Sequence, residues 1–170
     1  MKKILAGLVL LLSVNAMAQM KVGFVDSQRL LDTMPSRKAA LEKYQSYEQE
    51  LAEEFQLMRE DLQKAYEKYE ADLPNMTPVL RQAAEKKIMD KEKALQERQQ
   101  TIPAELQAYS DELNAPILDK VQNAVKIVSE RKKLSYVVDQ TTTLYFSPDL
   151  DITTEVAVEL LKLESASGTN

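Results

Sequence analysis

The chain has no cysteine and no histidine, and its only glycines are Gly7, Gly23 and Gly168. Losing both residue types removes the usual zinc ligands, the thiol nucleophile and the imidazole base together, and with them most hydrolytic and redox mechanisms. Three isolated glycines cannot build a loop that cradles a nucleotide phosphate, so the chain is expected to work without ATP. Carboxylate or Ser-Lys chemistry stays open in principle, but no candidate pair falls near a predicted pocket, and no enzymatic activity is expected. Asp149 and Asp151 are spaced like hard oxygen ligands for calcium, yet no further ligand pattern accompanies them and turn or cap duty explains both. No metal or cofactor is expected. Without cysteine there is no disulfide either, so stability must come from packing and association.

Basic charge is also in short supply. The 22 Lys and Arg stand against 27 Asp and Glu, a formal net charge of −5. Met1-Lys2-Lys3, the apolar run Ile4 to Val14 and Ala16-Met17-Ala18 have the layout of a cleaved export signal over residues 1–18. The apolar run is well short of the ~20 residues that span a bilayer. No cysteine follows the expected cleavage point to carry a lipid. Removing Lys2 and Lys3 leaves 22 − 2 = 20 basic side chains and a charge of −7, which disfavours nucleic acid as a partner. The cluster Glu130-Arg131-Lys132-Lys133 is better placed as cations complementing a helix C-terminus.

What the chain has in abundance is charged helix. Leu41, Glu48, Phe55, Leu62 and Tyr69 recur every seven residues, with Tyr44, Leu51, Met58, Ala65 and Asp72 at the second seam position. Only Glu48 and Asp72 interrupt the apolar seam. Leu73-Pro74-Asn75-Met76-Thr77-Pro78 marks a reversal, with Thr77 as cap and Pro78 at the first helical position. Beyond it Ile88, Leu95, Ile102 and Tyr109 keep the period, but their seam partners are Lys91, Arg98, Glu105 and Glu112. That second arm should be loosely held in its middle. Pro103 either kinks it or restarts a helix, and Pro116 should bend it. Residues 36–112 therefore read as an antiparallel coiled-coil hairpin with its tip near 73–78, each arm on the order of 50 to 80 Å long at ~1.5 Å per residue.

A small body flanks the arms. Residues 19–35 supply a strand around Lys21 to Asp26. Residues 113–163 supply a broad apolar helix face (Leu113, Ile117, Val121, Ala124, Val128), strands at 135–139 and 143–146, and a last helix with Val156, Leu160 and Leu163 on one face. Residues 164–170 read as a frayed polar tail. The fold class is α+β, mainly α. Three short strands make a marginal sheet, so several copies should share one core, with Val22, Phe24, Val25, Val137, Val138, Leu144 and Tyr145 at the contacts. On the arms, Tyr47, Leu57, Tyr66, Leu73, Met76 and Met89 lie off the seam. They are candidates for weak, unselective binding of another chain, because Met is flexible and Tyr offers apolar area with a polar tip.

Lys21-Val22-Gly23-Phe24-Val25-Asp26, the run Pro116 to Lys126, and Tyr136-Val137-Val138-Asp139 with Leu144-Tyr145 and Asp149 to Thr153 together resemble the Skp or OmpH family of periplasmic outer-membrane-protein chaperones, over nearly the whole chain after residue 18. The resemblance implies a homotrimer in the periplasm. Its small body would be a β-barrel shared by three subunits, and its helical hairpins would enclose unfolded outer-membrane β-barrel proteins as an ATP-independent holdase. One departure is the charge. Familiar members are basic and associate with lipopolysaccharide or anionic lipid, which this acidic chain puts in doubt as partners. The rival reading is a coiled-coil spacer or adaptor of the cell envelope that binds no unfolded chain.

Overall fold

The computed structural model describes residues 20–167; the expected export signal at 1–18 lies outside them. The order is β1 (Val22–Val25), α1 (Ser27–Asp32), α2 (Pro35–Asp72), a 3-10 turn at Leu73–Asn75, α3 (Pro78–Lys132), β2 (Tyr136–Asp139), 3-10 turns at Gln140–Thr142 and Pro148–Leu150, and α4 (Thr153–Ser167). The chain falls into two compact units, one containing residues up to Met34 with Asp119 onward, the other Pro35–Leu118. The fold is mainly α with a small strand region.

In the first unit β1 and β2 pair in parallel, Val22 opposite Tyr136 and Val25 opposite Asp139. Parallel pairing demands a long crossover, and the sequence between the strands provides it. Phe24 makes a further bridge to Asp151, and the Ile152 N–H donates to the Phe24 carbonyl at 2.9 Å. Gly23 sits in a close approach: a Cβ there would lie 2.7 Å from Leu134 Cδ1 and 3.3 Å from Ile152 Cδ1, so those side-chain ends would have to shift. Leu30, Ala124, Val128, Val156 and Leu160 are wholly buried, so α1, α4 and the end of α3 supply the core. Asp26 caps α1 by accepting from the Arg29 N–H at 3.0 Å. Asp151 accepts from both the N–H and the hydroxyl of Thr153 at the start of α4, which is the cap duty expected of it.

The C-terminus of α3 shows how the chain is turned into β2. Lys133 adopts φ 55°, the Leu134 N–H reaches the Ser129 carbonyl at 2.9 Å, and the Lys133 N–H reaches Glu130 at 3.2 Å. This is a Schellman motif with lysine where glycine is favoured.

Several expectations need correction. Residues 143–146 are not a strand: Leu144 and Tyr145 are strongly exposed and among the described residues no strand pairs with them, although Phe146 stacks on Phe24 at 4.9 Å between ring centroids. Of the tail expected at 164–170, residues 164–167 form the last turn of α4, and 168–170 lie outside the described residues. In that turn Glu164, whose side chain is only 7% exposed, pairs with Lys120 at 2.6 Å. α3 runs unbroken through Pro103 and Pro116, so a restart at Pro103 does not occur. Each proline removes one N–H, which a long helix secured on both sides tolerates.

Candidate functional site

The second unit is an antiparallel pair formed by α2 and the 78–118 part of α3. Its seam follows the predicted period from Leu51 through Phe55, Met58, Leu62, Ala65 and Tyr69, all less exposed than their neighbours. The ends differ. Leu41 is 51% exposed, Glu48 points outward, and Tyr47 takes the inward place instead. An aromatic ring one position off the period buries more apolar area than the carboxylate on it, so the seam shifts by one residue there.

Opposite the seam, the polar residues of α3 are held rather than loose. Tyr47 donates to Glu105 at 3.4 Å, Glu54 pairs with Arg98 at 2.7 Å, and Asp61 pairs with Lys91. These three pairs advance by seven residues on α2 and retreat by seven on α3, so they form one ladder in register. Arg98 is the hub: its side chain is 18% exposed and also binds Glu105 at 2.5 Å. Nearer the tip Tyr66 donates to Glu92, and Tyr69 to Glu85 at 2.6 Å. The ladder leaves its mark on the acids. The Arg98 guanidinium holds the Glu105 carboxyl below its usual range, and the hydrogen bond from Lys91 does the same for Asp61. Hydrogen bonding to Glu92 and Glu85 pushes the Tyr66 and Tyr69 hydroxyls up, while burial followed by the Glu105 charge raises Tyr47.

The six arm residues singled out from the sequence separate into three groups. Leu57 and Met89 are 65% and 64% exposed. Tyr66 is 37% exposed, and Leu73 and Met76 are partly covered. Tyr47 packs against Tyr109 with ring centroids 4.6 Å apart and the rings tilted by 54°, and so stands in the seam of the hairpin. Val79 and Leu80, 76% and 57% exposed in the first turn of α3, were missed; their signal was an adjacent apolar pair off the seven-residue period. A groove of about 580 Å³ runs beside the seam, with Leu62, Tyr66 and Leu95 among its lining and Arg59, Glu60, Lys64 and Glu67 at its edges. Such a groove suits an extended chain more than a compact ligand, since it is open and mixed in polarity.

Of the residues expected between copies, Val25 is buried within the chain, Val22, Phe24, Val137 and Val138 are half-buried, and Leu144 and Tyr145 are exposed beside a 59% exposed Tyr136. No helix among the described residues is long and apolar enough to cross a membrane.

The family model for outer membrane protein (OmpH-like) matches residues 21–160. The chain belongs to the OmpH-like family. It is 28% identical over 160 residues to the chaperone protein Skp of Photorhabdus laumondii, covering 92% of this chain and 97% of that one. Against the chaperone protein Skp of Escherichia coli strain K12 the identity is 28% over 152 residues, covering 89% and 92%. A crystal structure from Caulobacter crescentus CB15, described as an outer membrane chaperone (OmpH-like), superimposes with a TM-score of 0.74 at 18% identity over 88% of this chain and 86% of the other. That likeness speaks for the fold, and the matched family spans both units of the OmpH-like chain.

Proposed function

We propose that this OmpH-like chain is a periplasmic, ATP-independent holdase whose hairpins, gathered in a homotrimer, hold unfolded outer-membrane β-barrel proteins and keep them from aggregating. The observation that carries this reading is the division of labour on the hairpin. Its seam is closed by an internal polar ladder, while Leu57, Met89, Val79 and Leu80 remain exposed. Large apolar side chains left mostly uncovered by their own chain are available to another chain. Each contact is weak, and affinity comes from many at once.

The trimer is supported by the poverty of the first unit. A two-stranded sheet with Tyr136, Leu144 and Tyr145 exposed beside it is marginal alone. Catalysis has no part in the reading. A spacer role is less well supported, because a spacer has no use for apolar residues facing away from the seam.

The test is light scattering from a porin diluted out of urea, with and without the protein. The native chain should suppress aggregation, and Leu57→Ser with Met89→Ser should weaken suppression while the solution mass stays trimeric. Full suppression by that variant would refute the contact surface. Because the chain is acidic and the contacts apolar, suppression should fall only modestly between low and high salt. A monomeric mass would refute the assembly.

A further inference from the structure

The tip of the hairpin is built unlike its flanks. Residues 42–61 and 97–112 carry three basic side chains (Lys43, Arg59, Arg98) against eleven acidic ones, a local charge of −8. At the tip the charge is divided by helix instead. The last residues of α2, 66–72, hold Lys68 against Glu67, Glu70 and Asp72, a charge of −2. The first of α3, 78–87, hold Arg81, Lys86 and Lys87 against Glu85, a charge of +2. All eight of these side chains are exposed.

This polarity runs against helix-end convention. The C-terminus of α2 has no basic residue in its last turn, and the N-terminus of α3 has no acidic residue in its first. Side-chain charge therefore adds to each helix dipole instead of offsetting it. Between the two ends lie Val79 and Leu80, strongly exposed, with Leu73 and Met76 partly so.

We infer that the tip is a contact surface for the tip of a second copy of this chain, the acidic end of α2 in one copy facing the basic start of α3 in the next around the apolar pair Val79 and Leu80. An apolar centre flanked by opposite charges complements itself, either as a pair or head-to-tail in a ring. The flanks at −8 repel one another, so the tip is where like copies can meet. The inference rests on the proposed assembly of hairpins and deepens it: arms holding no client would close on each other, and the residues that close them are ones an unfolded chain would displace.

The native chain has no cysteine, so Val79→Cys places a single thiol at the tip. Under mild oxidation the empty protein should give disulfide-linked dimers, at a rate unaffected by tenfold dilution within an assembly. Glu53→Cys in the acidic flank should link at least tenfold more slowly. Adding Arg81→Glu and Lys86→Glu should slow Val79→Cys linkage at least fivefold, and further adding Glu70→Lys and Asp72→Lys should restore it. Prior binding of a urea-denatured porin should also slow linkage. Equal rates at the two cysteine positions, or no linkage in a protein of trimeric mass, would overturn the tip contact and leave the assembly standing. A monomeric mass with linkage that rises with concentration would keep the tip contact and overturn the assembly. A monomeric mass without linkage would overturn both.

Discussion

Replacing Ile88 with alanine should loosen the hairpin and leave the strand-bearing unit intact. Ile88 is 7% exposed in the seam of α3, and the hairpin forms a compact unit of its own. Truncating a buried isoleucine costs about 2 to 5 kcal/mol, and a site between only two helices can partly collapse, so the low end near ~2 kcal/mol applies. At about 1.4 kcal/mol per factor of ten, local opening becomes roughly 30-fold more frequent. The assay is amide hydrogen exchange read segment by segment. Exchange should quicken over 51–69 and 81–109, with 22–25, 136–139 and 153–163 unchanged. Leu160→Ala, at a wholly buried position of α4, should give the converse pattern. The converse loss should approach the upper end, ~4 kcal/mol or more, because helix and strand both surround that site. If Ile88→Ala quickened exchange in β1 as much as in α2, the division into two units would be wrong as a statement about stability.

Lys133→Gly should stabilise the strand-bearing unit by about 0.5 to 1 kcal/mol, because glycine adopts the left-handed conformation of that Schellman motif without a Cβ penalty; an unchanged or lower thermal midpoint would count against the motif. Gly23→Val should destabilise the same unit, since even its Cβ would press on Leu134 and Ile152; unaltered denaturant midpoints would contradict that packing. The carboxyls of Asp61 and Glu105 in the hairpin, and of Glu155 and Glu159 beside Lys132 and Arg131, all lie below their usual range. Depressed carboxyls contribute stability above their unfolded pKa and lose it as pH falls through the folded value, so unfolding on acid titration should set in below about pH 4. The raised Tyr66 and Tyr69 hydroxyls act in the opposite sense: their contribution is present below about pH 10 and is lost above it. Circular dichroism across both ranges checks the two signs.

Much of the hairpin was legible because its signals are local and redundant. The seven-residue recurrence from Leu51 to Tyr69 names a seam without any structure, and Thr77-Pro78 names a helix start. Thr77 does cap α3, its hydroxyl accepting from the Leu80 N–H at 3.4 Å. The register of the arms was not legible in the same way. Lys91, Arg98 and Glu105 read as defects in a seam, because one helix alone gives no hint that Asp61, Glu54 and Tyr47 stand opposite. The strand expected at 143–146 failed for a related reason: β-branched and aromatic composition states that a segment can pair, and only a neighbour decides whether it does. Of the expected contact residues, Tyr47 stands in the seam, one position off the seven-residue period, because its aromatic ring buries more apolar area there than Glu48 would.

The ladder also explains how so polar a hairpin holds one alignment. An apolar seam alone tolerates slipping by a heptad, since Leu, Ile and Met at neighbouring turns are nearly interchangeable. Sliding α3 by seven residues would place Arg98 opposite Asp61 and Glu105 opposite Glu54, so the second pairing becomes a repulsion. Sliding it the other way puts Lys91 opposite Glu54 and Arg98 opposite Tyr47, which removes the acceptor for the tyrosine and strands Glu105. Only the observed alignment satisfies Tyr47, Glu54 and Asp61 together. These partly exposed polar pairs thus fix the register of the hairpin, whatever their net stabilisation. Tyr47→Phe tests this: it keeps the ring on Tyr109 and removes the hydroxyl from Glu105. Helix content should be unchanged. Cysteines at the seam positions Met58 and Leu95, which leave every rung of the ladder in place, should report the native register, and in the Tyr47→Phe background a second product linking Met58 with Ile102, one heptad away, should become detectable when those two carry cysteine. Its absence at every ionic strength would show that the apolar seam sets the register unaided.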